Sequence, residues 1–171
     1  MSTDLPIELP DLPAGATHPD FRALHDYWRA KAPPGSLPGR QHIDPVVDIP
    51  ALVPRLALYD VVETPTGLRF RVRVAGEVLI EVMGLAPAGR FVDEFIVPER
   101  RATLNDAFTQ VARERIVHYW EKPMWTAGRQ YIRMQRLALP LARDGRNVDM
   151  IFAGHVRVPA DPHTDPSEGG T

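Results

Sequence analysis

The chain has 171 residues, 44% of them hydrophobic and 25% charged, a length that suits one domain with tails and a composition that suits a globular core. It has no cysteine, which excludes disulfide staples, thiolate catalysis, Cys-ligated zinc and cysteinyl adducts of a chromophore. The net charge of −2 conceals a split: residues 1–16 and 160–171 hold six acids and neither Lys nor Arg, so of 22 acids 16 remain in the body against 20 basic residues, mildly basic and well short of a nucleic-acid surface.

The N-terminus, MSTDLPIELPDLPAG, has no basic start and no continuous apolar stretch, and nowhere do 18 apolar residues run together. A cytoplasmic protein without membrane contact is therefore expected. Both ends are rich in Pro, Gly and acids, so residues 1–16 and 160–171 are expected as disordered tails around a single domain at 17–159.

Thr17-His18-Pro19-Asp20 reads as a helix start, with Pro in the first turn. Phe21, Leu24 and Trp28 recur at helical spacing up to a stop before Pro33-Pro34. After a PGSLPG linker, Asp44-Pro45 caps a short helical turn reaching about 52. A strand is expected at 56–63, then the turn Thr64-Pro65-Thr66-Gly67, then LRFRVRVAG at 68–76. In that second strand Arg69, Arg71 and Arg73 alternate with Leu68, Phe70, Val72 and Val74, so the two sets face opposite ways. The turn sets Glu63 opposite Leu68, Val61 opposite Phe70, Asp60 opposite Arg71 and Tyr59 opposite Val72.

From Gly76 the period changes. Val78, Leu79, Val82 and Met83 predict a short helix ended by Gly84, and GRFVDEFI at 89–96 a second short helical piece. Pro98 opens the longest helix, 98–116, with Leu104, Ala107, Phe108, Val111 and Ala112 in one stripe. Three strands follow. The strand at 117–125 contains Pro123, which cannot donate to a ladder and marks an edge. Those at 131–143 and 146–159 are joined by Asp144-Gly145, a strong hairpin signal. A two-residue turn there pairs Arg143 with Arg146, Leu141 with Val148, Leu139 with Met150 and Leu137 with Phe152, giving one uniformly apolar face directed at the short helices. The opposite face, with Ala138–Ile151, Arg136–Ala153, Met134–His155 and Ile132–Arg157, reads as mixed. Together these elements predict an α+β domain: one antiparallel sheet, helices on its inner face and the N-terminal helix covering the outer face.

The strings PGRQHIDP, LALYDVV, RFRVRVAGEVLIEVMG, GRFVDEF and RLALPLARDGRNVDMI, in that order and spacing, resemble a family of small stand-alone bacterial PAS-like proteins of alphaproteobacterial type. The resemblance spans about 22–158. It implies a five-stranded antiparallel sheet of order 2-1-5-4-3 that encloses a cavity against the short helices, with the arginine strand and the Pro123 strand at its edges. It implies a sensory or regulatory role and supplies no agreed set of functional residues. PAS modules usually sit beside a kinase, cyclase or DNA-binding domain, and none is read here, so the expected output is contact with a separate signalling protein.

Inner-face residues expected to line a pocket are Tyr59, Phe70, Val72, Met83, Phe91, Phe95, Tyr119, Leu137 and Phe152, against the plainer reading that such a stripe is only core. A small apolar or amphipathic ligand is the class that such a lining admits, with Tyr59 and Tyr119 as polar contacts. Phe21, Leu24 and Trp28 are candidates for a homodimer interface, weighed equally against packing within the chain. The arginines 69, 71 and 73 are read first as protection of an edge strand and second as a site for an anionic partner. No metal or cofactor is expected: histidines 18, 25, 42, 118, 155 and 163 lack short metal-ligand pairing. Enzymatic chemistry is not expected either, because serines occur only at 2, 36 and 167 and no glycine-rich phosphate loop is present. A constitutive adaptor with a dry core is the alternative, and a small barrel enzyme using Asp60 a remote third.

Overall fold

In the computed structural model, which describes residues 4–159, two nine-residue strands meet at the Thr64–Gly67 turn. These are β1 (Leu56–Thr64) and β2 (Gly67–Ala75), and their pairing follows the expected register: Tyr59 with Val72, Asp60 with Arg71, Val61 with Phe70 and Glu63 with Leu68. A bulge between Leu58 and Tyr59 shifts the pairing beyond that point. Before this hairpin come α1 (Pro19–Lys31), α2 (Pro45–Asp48) and a 3-10 turn at Pro50–Arg55. After it come α3 (Glu77–Met83), a 3-10 turn at Val92–Glu94 and α4 (Pro98–Glu114), then β3 (His118–Pro123), β4 (Arg133–Leu141) and β5 (Met150–Arg157). All pairings are antiparallel and the order is β2-β1-β5-β4-β3, an open sheet with β3 at one edge as Pro123 required.

The last hairpin differs from expectation by two residues. Leu141 pairs with Met150, Leu139 with Phe152 and Leu137 with Gly154. Asp144-Gly145 is not a two-residue turn but the tip of a loop over 142–149. There Asp144 accepts hydrogen bonds from the backbone N–H of Arg146 (2.8 Å) and Asn147 (2.7 Å), and Gly145 adopts φ 85°. Segment 37–38 braces the loop, through Leu37 N–H to the Gly145 carbonyl and Ala142 N–H to that of Pro38. A shift of two preserves which side chains share a face, so the apolar set stays intact while every cross-strand partner changes.

Which layer covers that face is a correction. Leu137, Leu139, Leu141, Met150 and Phe152 do not face the short helices; they are buried with Phe21, Leu24 and Trp28 of α1. A Cβ on Gly154 would lie 2.7 Å from Leu24 Cδ2, so glycine is what admits α1 this close to β5. Phe21, Leu24 and Trp28 are therefore spent on the chain's own sheet, each at most 1% exposed, and do not form a free dimer surface. Residues 4–16 also differ from the expected free tail. Ile7 N–H donates to the Gly35 carbonyl (2.9 Å), the Pro10 carbonyl lies 3.0 Å from His25 Nε2, and Ile7, Leu9 and Leu12 pack on the outer core. Their apolar side chains are spaced between acids and prolines, which masked them in composition. The expected tail at 160–171 lies outside the described residues.

The inner face carries the second core. Tyr59, Phe70, Val72, Met83, Leu104, Phe108, Trp120, Ala138 and Ile151 are buried there beneath α3 and α4. Both faces of the sheet are thus dry, and it is the face read as mixed that holds the chemistry.

Candidate functional site

Arg136 stands in the middle of β4, and in a sheet its direct neighbours share its face. Those neighbours are Trp120 on β3 and His155 on β5. The next row is His118, Ala138, Ala153, Ala57 and Ala75 across all five strands. The four alanines of that row leave room above the sheet for the long arginine stem. Phe108 descends from α4 to close the space from the other side, with its ring 4.8 Å from that of Tyr59 and 5.2 Å from that of Phe70.

The outcome is a guanidinium inside an aromatic box. Arg136 Cζ lies 3.9 Å from the Trp120 ring centroid, 4.3 Å from Phe108 and 5.5 Å from Trp125, and the residue is 1% exposed. None of its three side-chain nitrogens has a hydrogen-bond partner within the chain, and no described carboxylate forms an ion pair with it. Burial pushes its pKa down to about 9, with Tyr59 acting in the opposite sense, so it is still a cation at neutral pH. Three further side chains hold an unpaired buried atom, His118 through Nδ1 among them. His155 turns Nδ1 to the Arg55 carbonyl (3.3 Å) and leaves Nε2 without a partner, as does Thr126 with its Oγ1 beside Trp125.

Burial, and after it the charge of Arg136, sets the titration of the surrounding groups. His155 is pushed down to about 3 by burial first and Arg136 second, and His118 to about 4 by burial, then Arg136, then Lys122. Burial lifts Tyr59 to about 12, partly countered by Arg136. At neutral pH both imidazoles and the phenol are uncharged, and the site carries one positive charge. It borders an open groove of about 420 Å³ between α4 and β3, lined by Thr103, Asp106, Ala107, Gln110, His118, Trp120 and Lys122. Trp120 belongs to both, with its ring against Arg136 and the residue in the groove lining. A larger hollow, about 550 Å³, lies between residues 11–17 and α1, but it opens among surface charges such as Asp11, Arg22 and Arg29 and has no orphaned buried group.

Of the pocket residues expected from sequence, Tyr59, Phe70, Val72 and Met83 are in the inner core, and Phe95 packs at its margin. Tyr119, Leu137 and Phe152 are on the other face; Tyr119 meets Phe21 edge-on at 5.9 Å. That follows from the reversal of layers: side chains one residue apart in a strand cannot share a core. Phe91 lies outside the core against Arg69 Cζ at 3.9 Å. The expected helical piece at 89–96 is helical only over Val92–Glu94, because residues 89–91 instead run along β2. The Gly89 N–H donates to the Val72 carbonyl and the Val72 N–H to that of Arg90. The arginine ladder is occupied by the chain's own acids: Arg69 grips Asp93 bidentately (2.8 and 2.7 Å), while Arg71 and Arg73 share Asp60 (3.3 and 2.8 Å). Sequence reasoning missed Arg136, Phe108, Trp120 and Trp125. The available signal was one arginine in β4 flanked by Met134 and Ala138 and facing a β5 set that holds Ile151 and Ala153, combined with helices enough to cover both faces.

The family model for the PAS domain matches residues 16–155. The chain belongs to the PAS domain family. That stretch contains β1 to β4, β5 as far as His155, and the Arg136 box. Among solved structures, a light-oxygen-voltage domain studied with a flavin analogue aligns at 16% identity and a TM-score of 0.43, covering 61% of this chain and 77% of that one. Compared with the curated proteins, the chain finds no match. PAS membership makes this a sensory or regulatory type of module, and no helix among the described residues of this PAS domain is long and apolar enough to cross a membrane.

Proposed function

We propose that this PAS domain senses a small molecule at the Arg136 box and passes its state on by contact with a separate signalling protein. The observation that carries the reading is a fully buried cation whose guanidinium nitrogens find no partner in the chain. A protein interior normally pairs such a group, because the desolvation penalty amounts to several kcal/mol. A ligand that supplies the missing acceptors stabilises one arrangement of Trp120 and α4 over another, and a difference in affinity between two states is what a sensor requires. On this reading the anchor of the pocket is a charge, which favours an amphipathic ligand over a purely apolar one. No catalytic role is assigned. Asp60, the acid weighed for one, is engaged with Arg71 and Arg73.

Mass spectrometry of the freshly purified protein under native and denaturing conditions tests the reading. A bound mass present in the wild type and lost in Arg136→Met is the expected result, together with a change in partner capture between the two. If neither a bound mass nor a difference in captured partners is seen, the domain is a constitutive adaptor with a dry core and the sensor reading is overturned.

A further inference from the structure

Resting on the reading that the Arg136 box takes a ligand, we propose that this ligand is a small organic monocarboxylate with a flat apolar body, admitted through the groove between α4 and β3. The charge of the site sets the charge of the ligand. Arg136 is the one buried cation among the described residues, and the nearest titratable groups, His118, His155 and Tyr59, are neutral at neutral pH. One carboxylate balances it through paired N–H···O bonds in the guanidinium plane. A second negative charge would remain buried and uncompensated beside the single guanidinium.

The rings set the body. Phe108, Trp120 and Trp125 surround the guanidinium at 4.3, 3.9 and 5.5 Å, and Trp120 and Trp125 meet edge to face at 5.2 Å. Surfaces of this kind accept a planar ring by stacking or by edge contact. The route runs past Trp120, which lines the groove and holds its ring 3.9 Å from the guanidinium, with Ala107, a small residue of the α4 stripe, lining the groove on the helix side. The groove, about 420 Å³, has the size of a small-ligand cleft. Trp120 swings toward it to admit the carboxylate and returns to cover the bound ring. His118 Nδ1, from the groove lining, and His155 Nε2, beside Arg136 across the sheet, are unpaired and remain for polar substituents.

The test titrates the full chain with benzoate and indole-3-acetate, following thermal midpoint and tryptophan fluorescence, beside benzamide as the neutral isostere and phthalate as the dianion. Benzoate or indole-3-acetate is expected to bind about 10- to 100-fold more tightly than benzamide or phthalate, the worth of a charged hydrogen-bond pair. Arg136→Met, confirmed as folded by circular dichroism, is expected to lose that preference. Trp120→Phe, a second variant that keeps the ring wall while narrowing it, is expected to retain the preference and alter the fluorescence response. Equal binding of benzoate and benzamide, unchanged binding in Arg136→Met, or binding of neither carboxylate overturns the proposal. A neutral or dianionic mass released from the purified protein in an Arg136-dependent way overturns the monocarboxylate class while leaving the sensor reading intact. If no mass is released, no probe binds and Arg136→Met captures the same partners, both fall together.

Discussion

A guanidinium buried without a counter-ion costs several kcal/mol in desolvation, and cation–π contact returns about 2 kcal/mol of it. Arg136 is in that position, with no hydrogen bond to lose on truncation. Arg136→Met is therefore expected to stabilise the ligand-free domain by about 1–4 kcal/mol in urea unfolding, as apolar replacements of buried ions often do. A loss of stability instead would mark the cation as part of the scaffold. His155, 2% exposed, gives a second residue-scale expectation. Its folded pKa is about 3 against an unfolded value of about 6.5. Below pH 6.5 the unfolded chain takes up a proton at this position that the folded chain refuses. The stability is fully present above the unfolded pKa and declines as pH falls from there toward 3. Between pH 7 and pH 5 the decline amounts to about 2 kcal/mol. His155→Phe should flatten that limb in denaturation midpoints measured at the two pH values, and an unchanged slope would locate the acid sensitivity elsewhere.

At the scale of elements, α1 and the β2 edge each depend on a small number of directed contacts. Trp28 of α1 donates its Nε1–H to the Pro140 carbonyl at 2.8 Å, in the dry outer core. Pro140 lies beyond the last β3 pair, His118 with Ala138, so its backbone has no sheet neighbour on that side and proline is tolerated there. Trp28→Phe leaves that carbonyl buried and unsatisfied and should cost about 1–3 kcal/mol by chemical denaturation. On the other edge, residues 89–91 and the Arg69–Asp93 clamp cover β2, while Asp60 holds Arg71 and Arg73 from the neighbouring strand. These arginines are half exposed, so Asp60→Asn should cost no more than about 1 kcal/mol, and added salt should shrink the difference. A larger, salt-insensitive cost would mean that the pair is desolvated.

The whole molecule is two cores on one sheet. The outer core is completed by α1 and by residues 4–16; the inner core is completed by α3 and α4. Removing residues 1–35 strips the outer layer and bares Leu137, Leu139, Leu141 and Phe152 together, an apolar patch of the kind that drives aggregation. Such a truncation is expected to lose its folded circular dichroism and to scatter as aggregate, not to change from dimer to monomer with its fold retained. A folded, soluble truncation would show that the outer layer is dispensable and reopen α1 as an interface.

Period, turn chemistry and proline placement are local, and they were enough for the sequence by itself to determine most of the elements. These include the β1–β2 register through the Thr64–Gly67 turn, the helix after Pro98, the edge position of the Pro123 strand and, through its family motifs, the sheet order. Alternation in β4 and β5 also determined which side chains travel together. It did not determine which layer each set meets, since a strand covered on both faces offers two apolar sets and no local mark of which helix lies above which. The turn at Asp144 was misjudged for a related reason: its geometry depends on Leu37 and Pro38, which are distant in sequence and adjacent only in the fold. Arg136 was hidden by the same circumstance. An arginine beside Met134 and Ala138 has the pattern of a solvated face until Phe108 from α4 and Trp120 from β3 arrive to bury it, and that burial, a property of three segments meeting, is what makes it a candidate site.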